Sequence, residues 1–394
     1  MTDVRVLPPS EEAPFAAIKR WWGAHALAQS LGLAALIALA AFLGHNVIVS
    51  MHRLGMEPSL DYLSQPANFD ISESLIAYHA GDPYWRAILV GVLNTLKLAV
   101  SGCALATALG LALGLARVAG NALLSALVDA YVELVRNTPL VLQLFFWIAA
   151  THALPNVRQA LQPLPSVYLS VRGVYVPSIE VENGAVWPLV LLLFGFAWLI
   201  HYIHKRLQRP LRQREWLGLV LVAAGAAAAW IVADDVRLAV GLPQLKGFNI
   251  VGGLALTPEF AAMLTGLSVY YAANVSEIVR AGLQSVTKGQ WEAGRALGLS
   301  RGRILQLIVL PQAMRVITPL MTSTYLDLTK DTTLGVLIGF TEMTAIIKTS
   351  ANNTGNAVET IVVLVVVFLS ISLPVSAVIN AYSRRLARRG FGTR

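Results

Sequence analysis

Three sets of polar residues interrupt otherwise apolar stretches of this chain, and none is arranged for bond-making chemistry. The first is Glu292-Ala293-Gly294, followed by Gly298-Leu299-Ser300-Arg301 and then Leu310-Pro311. It lies in a basic stretch of about thirty residues between two long apolar runs. Residues 290–297 are good helix formers, and Gly298 can take the left-handed conformation that ends a helix. Ser300 is a favoured N-cap for a second helix from Arg301, with Ile304, Leu307 and Ile308 on one face. Pro311 lacks an N–H and should stop that helix. The expected object is a helix–turn–helix elbow, too short to be stable without a partner groove. Its chemistry would be mechanical, the passing of force to a neighbouring protein.

The second set is Asp327, Thr329, Lys330, Asp331 and Thr333, within a run otherwise able to cross lipid. A charge at the centre of a spanning helix costs about 2.5–3.5 kcal/mol on insertion scales, so such a cluster marks a polar conduit or a subunit interface. A purely structural ion pair between Lys330 and a neighbouring Asp is the rival reading. Tyr270, Tyr271, Asn274, Ser276, Glu277 and Arg280 give another run a polar side, which could line the same path or pack between helices. The third set is Glu133, Arg136, Asn137, Thr138, Pro139 and Gln143. A Pro after a polar run breaks regular helix and leaves backbone groups needing partners, which suits a gate or a structural element at a mouth. Lys97, alone in its run, reads as a snorkelling residue.

Enzymatic signatures are missing. The chain has no GxxxxGK[ST] loop, HExxH or CxxC pair. His201 and His204 are three apart but sit beside Lys and Arg, where interfacial polar residues outnumber metal ligands. No metal site is expected. Cys103 is the only cysteine, lies in an apolar run and excludes an intrachain disulfide.

These sets need a membrane-spanning scaffold to position them. The chain is 56% hydrophobic and 13% charged, against about 25% charged in a soluble domain. Its net charge of +8 is therefore no nucleic-acid signal. Spans are expected at about 27–49, 86–116, 126–153, 187–204, 216–234, 258–280, 312–335 and 357–382. The first follows Lys19 and Arg20, but it exceeds the usual signal core of about 7–15 residues and reads as a retained span. Basic clusters at 205–214, 280–303 and 384–394 fall on one side of an eight-span bundle, with both termini, and that side should be cytoplasmic. On the other side, residues 166–177 alternate around Arg172-Gly173 and suggest a hairpin. Residues 248–256 repeat the pattern around Gly252-Gly253. The two could pair into a small outer sheet or remain separate loops.

Several of these segments resemble known sequences. Glu292-Ala293-Gly294, Gly298 and Leu310-Pro311 resemble the EAA loop of ABC importer permeases. Glu133-x-x-Arg136-Asn137-Thr138-Pro139-x-x-x-Gln143 resembles the ExxRxTPxxxQ segment of polar amino-acid permeases, with Asn137 in place of a common glycine. Glu277-Ile278-Val279-Arg280-Ala281-Gly282, Lys330-Asp331-Thr332-Thr333-Leu334 and Asn94-Thr95-Leu96 are similar to further signatures of that family, the histidine/glutamine-type permeases.

The resemblance implies an all-α polytopic bundle, with a type I importer core of five spans and three added ones. Residues 1–85 would be a tail, extra span and outer loop. Residues 86–394 would be the transmembrane domain, with an insertion at about 151–257. It further implies a pore-forming subunit importing L-amino acids across a bacterial inner membrane. Glu292, Ala293, Gly294, Gly298, Leu299, Ser300, Arg301, Leu310 and Pro311 would couple it to two ATPase subunits, which bind ATP and Mg. The other partners implied are a second permease subunit and a periplasmic amino-acid-binding protein. The enlarged layout resembles one permease of the general L-amino-acid importers. The different-class alternative is a secondary transporter driven by an ion gradient through groups such as Asp327.

Overall fold

In the computed structural model, which describes residues 26–53, 59–118, 121–182 and 237–389, the long apolar runs are helices. Helix α1 is Ala26–Arg53 and α2 is Tyr84–Val118. At 35 residues, α2 is about 50 Å long, more than a hydrocarbon core requires. The expected third span is two helices, α3 (Ala122–Asn137) and α4 (Leu140–His152), bent by 104° at Thr138-Pro139. Helix α5 is Pro258–Gln284, α6 is Lys288–Ala296 and α7 is Arg301–Ile304. A π turn at Leu305–Val309 joins α7 to α8 (Leu310–Asp331), which tightens into a 3-10 turn over Thr332–Ile338. Helices α9 (Met343–Thr354) and α10 (Ala357–Arg389) follow.

Among the described residues four helices are long and apolar enough to cross a membrane, or five if the bent pair is one span. The expected spans at 187–204 and 216–234, the basic cluster at 205–214 and the His201/His204 pair lie outside the described residues. Helix α5 is long enough but more polar, and it is enclosed. It packs against α2, α3, α4 and α8, the place a polar helix must take in a bundle. Its contact with α2 is very close. A Cβ on Gly110 would stand 2.4 Å from Val275 Cβ, and one on Gly114 would stand 2.8 Å from Val279 Cβ. Gly102, Ala106, Gly110 and Gly114 form one small-residue stripe at helical spacing, which lets the two backbones approach.

Pro311 does not stop a helix, contrary to expectation. The run from Arg301 to Ile338 is one candidate span. The π turn explains this: Leu310 N–H bonds Leu305 O, five residues back, so the ladder has already shifted where Pro311 offers no donor.

The insertion builds small antiparallel ladders. Strands β1 (Leu161–Leu164), β2 (Val167–Ser170) and β3 (Gly173–Val176) continue to the last strand, β8 (Leu254–Leu256), in the order β1-β2-β3-β8. The hairpin at Arg172-Gly173 is present, and the two alternating segments do pair, Tyr175 facing Ala255. The second hairpin is displaced. It joins β6 (Gln244–Lys246) to β7 (Asn249–Val251) around Gly247, while Gly252 and Gly253, with φ of +81° and +71°, carry the chain on to β8. Strands β4 (Ser178–Glu182) and β5 (Arg237–Gly241) bring together the two ends of the 183–236 segment, Glu182 opposite Arg237.

Candidate functional site

The elbow lies where α5 ends. Helix α6 closes with Gly298 at φ +71°, Gly298 N–H bonding Arg295 O at 2.9 Å and Leu299 N–H bonding Gly294 O at 3.1 Å. This is the paired-bond helix end that glycine permits without strain. Ser300 is extended and its carbonyl accepts from Ile304 N–H at 3.0 Å, but its side chain makes no capping bond, so that part of the expectation fails. Gly294 is buried against Ile304, where a Cβ would stand 2.8 Å from Cγ1. Trp291 and Leu299 pack on the cluster formed by Val279, Leu283, Ile304, Val309, Ala313 and Ile317. One face of the elbow therefore rests on the bundle. Glu292, Ala293, Leu297, Gly298, Ser300, Leu310 and Pro311 remain exposed, Leu297 by 76%. Arg301 is tethered, its guanidinium donating to Val118 O at 3.1 Å at the end of α2.

Two polar cavities lie between this end and mid-bundle. One, of about 310 Å³, is lined by Arg136, Tyr270, Tyr271, Asn274, Glu277, Thr324, Asp327 and Asp331. Tyr271 is about 20 Å along α5 from its first residue. Its hydroxyl donates to Asp331 Oδ2 at 2.6 Å. The Lys330–Asp327 pair is loose, 3.8 Å with both side chains more than half exposed. That geometry contributes little to stability and does not favour the structural ion-pair reading. The other cavity, of about 660 Å³, is lined by Arg117, Asp129, Glu133, Arg136, Asn137, Glu277 and Arg280. Here Arg117 bridges three helices, pairing with Asp129 of α3 and with Glu277 of α5 at 2.7 Å. Arg280 closes on Glu277 as well.

The sequence-predicted residues thus divide. Glu133, Arg136, Tyr271, Asn274, Glu277, Arg280 and Asp327 line one or both cavities. Thr138, Pro139 and Gln143 form the α3–α4 break instead, Gln143 donating to two carbonyls there. Thr333 donates to Lys330 O on its own chain segment and lines neither cavity. Lys330 is also absent from both linings.

A further buried cluster was not anticipated. Lys97 does not snorkel: it points inward to Glu73 of the 59–83 segment, with Nζ 4.4 Å from the Phe260 ring centroid. Glu73 also accepts from Thr257 N–H at 3.2 Å, at the start of α5. Asn94 donates to Glu73 O at 2.6 Å and Thr341 O at 2.9 Å, and Thr95 accepts from Met343 N–H at 3.1 Å. Glu342, fully buried, caps α9 by accepting from Thr344 and Ala345 N–H, each at 2.8 Å. Burial pushes its carboxyl up to about 7 against those bonds. The Asn94-Thr95 pair was the only signal available for this cluster. Among the described residues no group of three or more His, Cys, Asp or Glu could hold a metal.

Comparison with known proteins gives one family. Residues 106–388 match "Binding-protein-dependent transport system inner membrane component". "Putative amino-acid ABC transporter permease protein YhdX" of Escherichia coli (strain K12) is 39% identical over 377 residues, covering 92% of this chain and 93% of that one. "General L-amino acid transport system permease protein AapQ" of Rhizobium johnstonii is 34% identical, covering 91% of each chain. "Glutamate/glutamine/aspartate/asparagine transport system permease protein BztB" of Rhodobacter capsulatus is 30% identical, covering 89% of this chain and 90% of that one.

Proposed function

The chain belongs to the family of binding-protein-dependent transport system inner membrane components, and from that membership we propose that it is the pore-forming permease subunit of an ATP-driven importer of L-amino acids. It is a membrane permease and not an enzyme. The ion-gradient alternative gains no support from these relatives. A broad range is favoured by the names of two near-full-length relatives, one of general L-amino-acid transport and one naming the acidic amino acids and their amides. The partners of this reading are two ATPase subunits binding ATP and Mg, a second permease and a periplasmic amino-acid-binding protein. The termini and the elbow face the cytoplasm, a reading supported by the basic residues Arg295, Arg301 and Arg303 at the elbow.

One observation carries the mechanism. The elbow buries Gly294, Trp291 and Leu299 on the bundle while leaving Glu292, Ala293 and Leu297 free. A rigid lever with an exposed outer face is what a motor protein needs to grip. Helix α7 continues through the π turn into α8, which carries Asp327 and Asp331 at the 310 Å³ cavity. A push on the elbow would therefore move groups at the proposed path. An amino acid is zwitterionic, and a cavity lined by both Arg136 and Asp327 offers both signs of charge to it. Two alternating states of the permease pair would expose this path to either side in turn.

The test uses the reconstituted importer. Glu292→Ala and Gly298→Pro should leave the subunit in the membrane with ATP hydrolysis retained, and reduce amino-acid uptake at least tenfold. Normal uptake by both variants would remove the coupling role.

A further inference from the structure

The α3–α4 break leaves a specific deficit of hydrogen-bond donors. In a continuous helix Val135 O would accept from the N–H four residues on, but that residue is Pro139. The remaining backbone bond, Thr138 N–H to Val135 O, is long at 3.4 Å. Thr138 is itself extended, φ −101° and ψ 127°, so its carbonyl has left the helical ladder. One side chain meets both needs. Gln143 Nε2 lies 2.9 Å from Val135 O and 3.0 Å from Thr138 O. A primary amide has two N–H groups, one for each carbonyl. Glu, Leu or Met of similar length has none at neutral pH.

What the break positions is Arg136, in the last turn of α3. This residue lines both polar cavities. Glu277 is the other residue they share, and it is already held by Arg117 and Arg280. Arg136 makes no ion pair among the described residues. It is the cation left free at the junction, and it lines the smaller cavity together with Asp327 and Asp331.

We infer that Gln143 is a positioning residue: its carboxamide replaces the donors lost at Thr138-Pro139, fixes the 104° bend, and so holds Arg136 where it meets the carboxylate of the passing solute. The last step rests on the cavities being the amino-acid path; the bend itself does not.

The two parts separate experimentally. Spin labels at Leu127→Cys and Phe146→Cys, both exposed, in a Cys103→Ser background report the bend in the assembled complex without any transport. Gln143→Met should broaden and shift the label distance, and Gln143→Glu should do so more, since an ionised carboxylate repels two carbonyls. An unchanged distribution overturns the inference. Uptake of labelled L-glutamine and L-glutamate then tests the link to Arg136. Gln143→Met and Arg136→Gln should each raise KM about tenfold, and Gln143→Met in the Arg136→Gln background should add less than twofold. Independent, multiplying effects would show a structural role only and overturn the positioning of Arg136. Absence of ATP-driven uptake by the unaltered complex would instead overturn the importer reading and leave the bend result standing.

Discussion

Glu342 is a residue whose consequence can be worked out from its surroundings alone. Its carboxyl is fully buried at the start of α9 and titrates at about 7, against an ordinary value of 4.5. The fold therefore holds this proton more tightly than the unfolded chain does. That contribution is fully present below about pH 4.5 and is lost as pH rises through about 7, after which it is flat. The gap corresponds to about 3 kcal/mol. Thermal unfolding of the purified subunit in detergent should show a lower Tm at pH 8 than at pH 5. Glu342→Gln keeps one acceptor for the α9 cap and should flatten the dependence by several degrees. If wild type and variant lose stability equally over that range, the buried carboxyl is not the group responsible. The residue was not legible in the sequence, because its surroundings include Thr95 of α2, some 250 positions away, which no local spacing could reveal. Glu73 is similar: only the fold brings it to Lys97 and Thr257. The elbow was legible because its determinants are local, a glycine at the helix end and apolar residues one turn apart.

At the scale of elements, the packing of α2 on α5 makes a sharp expectation. A glycine within a helix normally costs about 1 kcal/mol relative to alanine, so Gly110→Ala would stabilise an isolated helix. Here the new Cβ would meet Val275 Cβ at 2.4 Å and Ala272 O at 2.9 Å, neither of which can rotate away. The two helices must separate, and overpacking of this kind costs about 1–3 kcal/mol. Gly110→Ala should lower the unfolding temperature, whereas Gly32→Ala in α1, with nothing within 4 Å, should not. Equal behaviour of the two variants would mean that α2 and α5 do not approach as described. The small-residue stripe is visible in the sequence once α5 is known to be its partner. Pro311 shows the converse case. Its type argues for a stop, and the fold absorbs it by shifting the ladder one residue earlier at Leu305–Val309. The Thr138-Pro139 pair breaks the chain where no such shift precedes it, and the broken ladder is repaired from Gln143. Two prolines of the same type thus give a continuous lever and a sharp corner, according to what the neighbouring turns do.

For the whole molecule, the ladder between β4 and β5 constrains what lies between them. Glu182 and Arg237 are paired, so the 183–236 segment leaves and returns at one place. A segment that crosses a membrane and returns to the same place must do so an even number of times, and any such insertion would leave the orientation of α5 through α10 unaltered. Replacing residues 183–236 by Asn-Gly should then close β4 and β5 into a hairpin, since that dipeptide suits the two-residue turns of twisted antiparallel pairs. Orientation can be read from single cysteines in a Cys103→Ser background. Phe248→Cys lies in the loop between β6 and β7 and Leu297→Cys lies on the elbow, 69% and 76% exposed at the native residues. An impermeant thiol reagent added to intact spheroplasts should label the first and spare the second, in the full chain and in the shortened one alike. Labelling of both positions from outside would contradict the proposed sidedness. A reversal confined to the shortened chain would mean that 183–236 crosses an odd number of times, and that the β4–β5 ladder is not where the insertion begins and ends.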